Sequence, residues 1–175
     1  YLSTATTIRA SQWKDSLTLY TDLLDKTPDH YYGYQSVGLA LYDLKRYEEA
    51  IEYFDESLEI MENFNSYHGR ALCKRYLGDY QGALEDYNST MRMYPNFSEC
   101  LYNRANLKLL MEDTTGSIND LTLAIKFNDT YARLYNKRAD VYYQSDQKDL
   151  ACKDWQKTVD LGMLSAKEKL ESYCK

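Results

Sequence analysis

Apolar residues recur every three to four positions along most of the chain, which is the spacing that one face of an α-helix produces. The segment YEEAIEYFDESLEI, from Tyr47, aligns with the segment YQGALEDYNSTMRM, from Tyr80, at an offset of 33 residues. Similar segments begin at Trp13, Thr114 and Lys148, and each is preceded or followed by a second amphipathic segment. The sequence therefore predicts a row of helix pairs with a period close to 34 residues.

Residue size repeats with the same period. In the second helix of each pair, a small residue recurs at Ser16, Ala50, Ala83, Ser117 and Ala151. Four positions later, a large residue recurs at Tyr20, Phe54, Tyr87, Leu121 and Trp155. In the first helix, the small residue recurs at Gly38, Ala71, Ala105 and Ala139. Small residues let two helices approach closely and large ones fill the groove between them, so we expect both sets to be buried.

A helix–turn–helix unit of this length and pattern resembles the tetratricopeptide repeat (TPR). The family positions in the best copy are held by Tyr34, Gly38, Ala50 and Phe54. Pro28 and Pro95 stand at the proline that ends a family repeat. The resemblance implies an all-α fold, a right-handed α-solenoid of TPR helix–turn–helix repeats with a C-terminal capping helix. The style of the copies is similar to that of bacterial TPR proteins.

The repeat register divides the chain into segments. We expect a single TPR domain over residues 1–175 with eleven helices, made of a partial repeat 1–30, full repeats 31–63, 64–97, 98–131 and 132–163, and a capping helix 164–174. The chain begins at Tyr1 without a Met, so we expect it to be cut from a longer protein. In repeat 98–131, Thr114 and Leu121 replace aromatic residues, which predicts looser packing there.

Composition excludes several classes of protein. The 175 residues carry 21 Lys plus Arg and 27 Asp plus Glu, a net charge of −6, so the basic footprint of a general nucleic-acid binder is missing. No run of 18 apolar residues occurs, so we expect no membrane insertion of this fragment. An acidic run lies on one predicted helix, at Glu48, Glu49, Glu52, Asp55, Glu56, Glu59 and Glu62. We expect it to be a solvated outer surface, and a docking patch for a basic partner is the alternative.

No catalytic or metal-binding motif is present. The four cysteines are far apart, and the two histidines have no partner at ligand spacing, so we expect no metal, no cofactor and no enzymatic activity. Cys152 and Cys174 lie at similar distances on either side of the last predicted turn, so antiparallel packing is expected to bring them together. The sequence leaves open whether they are oxidised, and whether the compartment is the cytoplasm or the periplasm.

Two charged residues also follow the period. Three arginines recur in the first helix, and three aspartates recur in the second helix, at Arg70, Arg104 and Arg138, and at Asp86, Asp120 and Asp154. Repeat 31–63 lacks both and has Val37 and Tyr53 instead. Their joint presence and joint absence predict that each Arg forms an ion pair with the Asp sixteen residues later in its own repeat.

The TPR resemblance implies a concave groove lined by the first helix of each repeat. The residues that we expect to bind a ligand there are Tyr76, Tyr102, Asn103, Asn106, Arg133, Asn136 and Lys137. Tyrosine offers a large contact area with one polar end, which suits a binding surface. The carboxylate clamp of TPR co-chaperones is incomplete, because His68 and Leu72 stand where it needs Lys and Asn.

These observations predict a non-catalytic protein–protein interaction module that binds a peptide or protein segment in the concave groove. The alternative is a structural or assembly element, in which the array self-associates or packs on another domain of a longer parent protein. The sequence does not indicate the oligomeric state.

Overall fold

The computed structural model describes residues 16–174, and all regular secondary structure in that range is helical. The α-helices of this range are α1 Ser16–Lys26, α2 Tyr31–Asp43, α3 Tyr47–Ile60, α4 Phe64–Leu77, α5 Tyr80–Met93, α6 Ser98–Leu110, α7 Thr114–Phe127, α8 Ala132–Gln144, α9 Lys148–Asp160 and α10 Lys167–Tyr173. A single 3₁₀ turn, Leu164–Ala166, precedes α10. The first of the eleven predicted helices, and with it the first half of the partial repeat 1–30, lies outside the described residues.

The chain forms two compact units, which divide between residues 93 and 94. The first unit contains α1 to α5, and the second contains α6 to α10 and the 3₁₀ turn. Within each unit, consecutive helices pack against each other as pairs: α2 with α3, α4 with α5, α6 with α7, and α8 with α9. The predicted all-α fold of helix–turn–helix repeats is confirmed.

The core of the first unit is built around Phe54. Val37, Leu41, Ala50 and Cys73 are buried with it in one apolar cluster. Gly69 is needed beside the ring, because a Cβ atom at that position would lie 2.4 Å from the Phe54 Cζ atom. The backbone of α4 can therefore approach α3 closely enough to enclose the aromatic ring.

The predicted size pattern is confirmed across the described residues. The small residues at its positions have no exposed surface: Ala50, Ala71, Ala83, Ala105, Ser117, Ala139 and Ala151. The large residues are buried to the same degree: Phe54, Tyr87, Leu121 and Trp155. Burial of these side chains is the main favourable contribution to folding in each helix pair.

The expectation of looser packing in repeat 98–131 is wrong. Leu101, Leu107 and Leu121 are all fully buried, so aliphatic side chains fill the space that an aromatic ring takes elsewhere. Thr114, which replaces the other aromatic residue, opens α7 directly after Asp113. The Asp113 side chain caps this helix by accepting a 2.8 Å hydrogen bond from the Gly116 backbone N–H.

The C-terminal segment packs on the last full repeat. Ala166, Leu170 and Cys174 join a cluster that contains Ala151 and Trp155. A disulfide bond links Cys152 to Cys174, with their Cα atoms 5.6 Å apart. The expected proximity of these cysteines is confirmed, and the bond, which the sequence left open, is formed in the structure.

Candidate ligand-binding surfaces

Each arginine that follows the period contacts the expected aspartate through two hydrogen bonds. The Arg70 Nε and Nη2 atoms donate to the two Asp86 carboxylate oxygens at 2.9 and 2.6 Å. Arg104 contacts Asp120 at 2.9 and 2.7 Å, and Arg138 contacts Asp154 at 2.7 and 2.9 Å. The aspartates are almost fully buried. Bidentate geometry fixes the direction of the guanidinium plane and so the orientation of one helix against the next.

Sequence reasoning missed further partners of these pairs. Lys74 and Lys108 also contact Asp86 and Asp120, each at 2.9 Å. These lysines are 34 residues apart, so the same periodicity test would have found them. Arg70 also donates to the carboxylate of Asp55 in the preceding repeat. The first-unit arginine therefore links α4 to both α3 and α5.

Tyr76, the only predicted ligand-binding residue in the first unit, belongs to a cluster of tyrosines. Its ring stacks on that of Tyr47, with centroids 4.7 Å apart and an interplanar angle of 4°, and it also lies 6.0 Å from Tyr42. Burial, together with a hydrogen bond to Tyr76, raises the pKa of Tyr42. Tyr76 itself remains 54% exposed, so one face of the cluster is open to solvent.

His68 occupies the position where a carboxylate clamp needs a lysine. Its ring lies 5.9 Å from that of Tyr87. Burial, with a smaller effect from the charge of Arg75, lowers the pKa of His68 to about 4. The imidazole is therefore neutral near pH 7 and cannot supply the positive charge that such a clamp requires.

The second unit brings Tyr102 and Arg133 together. The Arg133 Nε atom donates a 3.0 Å hydrogen bond to the Tyr102 hydroxyl group, and the guanidinium carbon lies 4.5 Å from the ring centroid. Hydrogen bonding to Tyr131, and to Tyr102, raises the pKa of Arg133. Arg133 is exposed, so α6 and α8 together present a fixed positive charge to solvent.

The amide-bearing residues predicted for this surface lie on the same two helices. Asn106 donates a 2.9 Å hydrogen bond to the Tyr102 backbone carbonyl, which leaves its side-chain oxygen as an acceptor. Asn103 is half-buried on α6. Asn136 and Lys137 are half-buried on α8 and form no hydrogen bond with another described residue.

Helix α10 covers part of the adjoining surface of α8. Asp140 accepts hydrogen bonds from the Trp155 indole N–H at 3.0 Å and from Lys169 at 2.6 Å. The ring of Tyr143 lies 4.6 Å from that of Tyr173. Asp140 and Tyr143, which the family pattern places in the groove, therefore contact the C-terminal helix of their own chain.

The acidic run of α3 is largely exposed. Glu49 forms a bidentate ion pair with Arg46 on the same helix end, and Asp55 contacts Arg70. A second group of four glutamates forms no ion pair or hydrogen bond with another described residue: Glu48, Glu52, Glu56 and Glu59. Each is exposed on the same side of the helix. Most of this charge is therefore not needed for contacts within the folded unit.

Two further searches cover residues 16–174. Within that range, no three His, Cys, Asp or Glu side chains are grouped closely enough to hold a metal ion. None of the helices in the same range has the length and apolarity that a membrane span requires.

Comparison with known proteins identifies the repeat. Residues 30–96 match a family model described as tetratricopeptide repeat. Human DnaJ homolog subfamily C member 7 is 27% identical over 137 residues, which span 69% of this chain and 28% of that protein. The chain thus corresponds to little more than a quarter of that curated relative.

Solved structures share the fold. The crystal structure of MamA has a TM-score of 0.77 and 16% sequence identity, covering 86% of this chain and 89% of MamA. The crystal structure of YrrB, described as a TPR protein with an unusual peptide-binding site, has a TM-score of 0.71 and 16% identity, covering 95% and 87%. At this level of identity, the similarity extends to the fold.

Proposed function

Because the chain is a tetratricopeptide-repeat protein, we propose that it is a non-catalytic interaction module that binds an extended peptide or protein segment on the surface of α6 and α8. TPR proteins mediate protein–protein interactions, and one of the structural relatives is described by its peptide-binding site. The observation that carries the proposal is the exposed Arg133 guanidinium held on the ring and hydroxyl group of Tyr102.

The chemistry of this surface suits an extended chain with a negative group. Peptide N–H and C=O groups need partners when they leave water, and the amides of Asn106 and Asn136 can both donate and accept. Lys137 lies one helical turn from Arg133 on α8, so the two cations can share one carboxylate. Tyr102 adds apolar contact area at a small cost in side-chain entropy.

A selection experiment tests this proposal without a known partner. Random dodecapeptides displayed on phage are selected against the immobilised full chain, and the strongest binder is synthesised for titration. We expect Arg133→Gln with Lys137→Gln, and separately Tyr102→Ala with Asn103→Ala, to weaken binding by about tenfold or more. Circular dichroism checks that each variant remains folded.

The matched control removes the same charge from another helix. Lys153 and Lys157 are exposed on α9, and Lys153→Gln with Lys157→Gln should leave the dissociation constant within about twofold of the native value. Equal weakening by both double variants would mean that net charge, and not the α6–α8 surface, controls binding. Unchanged binding in the folded Arg133–Lys137 variant would contradict the proposal.

A structural role is the second candidate, and the apolar surface of the first unit favours it. Leu23, Tyr32 and Leu39 are between 40% and 57% exposed on α1 and α2. Exposed apolar side chains on neighbouring helices are typical of contacts with another copy or domain. Light scattering over a concentration series distinguishes the two roles, because self-association that Tyr32→Ser with Leu39→Ser abolishes would favour the structural role.

A further inference from the structure

Repeat 31–63 has a tyrosine that lacks the arginine found beside its counterparts. The Arg70 guanidinium lies 5.5 Å from the ring centroid of Tyr67, and the Arg138 guanidinium lies 5.9 Å from that of Tyr135. The equivalent tyrosine of repeat 31–63 is Tyr34, and Val37 stands at the arginine position. The Tyr34 ring therefore has no internal cation from its own repeat.

The same repeat has a cleft where the other repeats have their Arg–Asp pair. Tyr53 stands at the position of Asp86, and its ring centroid lies 6.3 Å from that of Tyr34. These two tyrosines, with Glu52 and Glu56, line a cleft of about 330 Å³ between α2 and α3. The walls thus combine two aromatic rings with two carboxylates, the groups that bind a guanidinium well.

The negative charge around this cleft is specific to α3. Glu48, Glu52, Glu56 and Glu59 follow one another at spacings of four, four and three residues. The equivalent positions are Gln81, Glu85, Ser89 and Arg92 in α5, Thr115, Asn119, Leu123 and Lys126 in α7, and Asp149, Lys153, Lys157 and Asp160 in α9. Like charges four residues apart weaken a helix, so the fold alone gives no reason for this stripe.

We propose that the cleft lined by Tyr34, Tyr53, Glu52 and Glu56 binds the guanidinium group of an arginine in a basic segment of a partner protein. The incoming side chain makes the contacts that Arg70 makes with Tyr67 in the next repeat. This surface belongs to the first unit and is separate from the α6–α8 surface, so either proposal can fail without the other.

The spacing of the glutamates indicates the form of the partner segment. Residues four apart in an α-helix are separated by about 6 Å along the axis. Alternate residues of an extended chain are separated by about 6.6–6.8 Å. A segment with arginine at every second position therefore brings its side chains to Glu48, Glu52 and Glu56 in turn.

Fluorescence anisotropy with a designed probe tests the proposal. The probe is the labelled hexapeptide acetyl-Arg-Gly-Arg-Gly-Arg-Gly-amide, titrated with the full chain at 50 mM salt. We expect Glu52→Gln with Glu56→Gln to weaken binding by about tenfold, and Tyr53→Leu by about fivefold. Tyr53→Phe keeps the aromatic ring and should stay within about twofold of the native chain.

A control pair separates the cleft from net charge. Glu168→Gln with Glu171→Gln removes two exposed carboxylates from α10 and should leave binding of the probe within about twofold. Weakening as large as that of the Glu52–Glu56 variant would overturn the proposal. An equally tight complex of the Glu52–Glu56 variant, or loss of binding in Tyr53→Phe, would overturn it as well.

A second variant fills the cleft from within. Val37→Arg with Tyr53→Asp installs the pair found in repeat 64–93, and it should abolish binding of the probe while leaving the helical circular dichroism spectrum unchanged. Undiminished binding in this folded variant would overturn the proposal. Light scattering identifies the remaining occupant, because a native dimer that the Glu52–Glu56 variant dissolves would assign the cleft to a second copy of the chain and overturn the partner-protein assignment.

Discussion

Repeat 31–63 and residues 64–93 lie side by side in the first unit but hold their helices together differently. Both use a hydroxyl group that donates to a backbone carbonyl at the start of the preceding helix, Ser57 to Tyr31 and Thr90 to Phe64. Only the second pair of helices adds the ion pair between Arg70 and Asp86. A helix pair of this fold can therefore form without it.

The difference separates stability from orientation. Val37 is fully buried in repeat 31–63 and contributes apolar burial where Arg70 contributes charge. A buried ion pair costs desolvation that its attraction only partly offsets, so it contributes little net stability while its geometry fixes how the helices face each other. The repeat without the pair instead has a tyrosine-lined cleft on its outer side.

The largest effect is expected from breaking the ion pair on one side. Asp86→Ala leaves Arg70 and Lys74 without the carboxylate that both contact, and should lower the free energy of unfolding by about 3 kcal/mol. Urea unfolding followed by circular dichroism measures it. A loss below about 1 kcal/mol would mean that the cations reach solvent without cost.

Replacing both partners should cost far less. Arg70→Val with Asp86→Tyr copies Val37 and Tyr53 into the next repeat and should stay within about 1 kcal/mol of the native free energy of unfolding. The same urea experiment compares it with Asp86→Ala. A double variant as unstable as the single one would show that the pair supplies stability and not only orientation.

A smaller effect is expected from His68, whose counterpart in repeat 31–63 is Gln35. The unfolded chain protonates this histidine near pH 6.5, whereas burial lowers the pKa in the folded chain to about 4. The unfolded state thus binds more protons in that interval, and the free energy of unfolding falls as the pH is lowered. Between pH 7 and pH 5 the native chain should lose about 2 kcal/mol more than His68→Gln. Parallel pH profiles of both chains would rule this out.

The smallest effect concerns the turns inside the two helix pairs. Lys45 and Gly78 occupy the same turn position, with φ angles of 61° and 86°. A left-handed backbone is strained for any residue with a Cβ atom, so Lys45→Gly should raise the free energy of unfolding by about 0.5–1 kcal/mol. Gly78→Lys should lower it by a similar amount, and thermal unfolding measures both. Opposite signs would show that chain entropy outweighs backbone strain.

Much of the fold follows from the sequence because a repeat shows every position several times. The burial of Ala50 and Phe54 was predictable from their counterparts, and the partnership of Arg70 with Asp86 from their shared absence in repeat 31–63. Looser packing around Leu121 was predicted wrongly, because the substitution was considered without the leucines that share its core.

Features without a counterpart elsewhere in the chain were harder to predict. The contact of Lys169 with Asp140 involves a C-terminal helix that occurs once, so no period indicates which face it covers. The neutral state of His68 depends on burial and on Arg75, which a spacing argument does not reveal. The cleft beside Tyr34 became visible only when the same position was compared across folded repeats.

The most direct test of this account is fluorine NMR of the full chain carrying 3-fluorotyrosine, with resonances assigned by Tyr→Phe variants and the arginine hexapeptide as titrant. Tyr67 and Tyr135 already have a guanidinium within 6 Å of the ring, whereas Tyr34 and Tyr53 line the cleft without one from their own repeat. The account predicts that the Tyr34 and Tyr53 resonances shift on titration while those of Tyr67 and Tyr135 stay in place. Equal shifts at all four tyrosines, or shifts confined to Tyr67 and Tyr135, would contradict it.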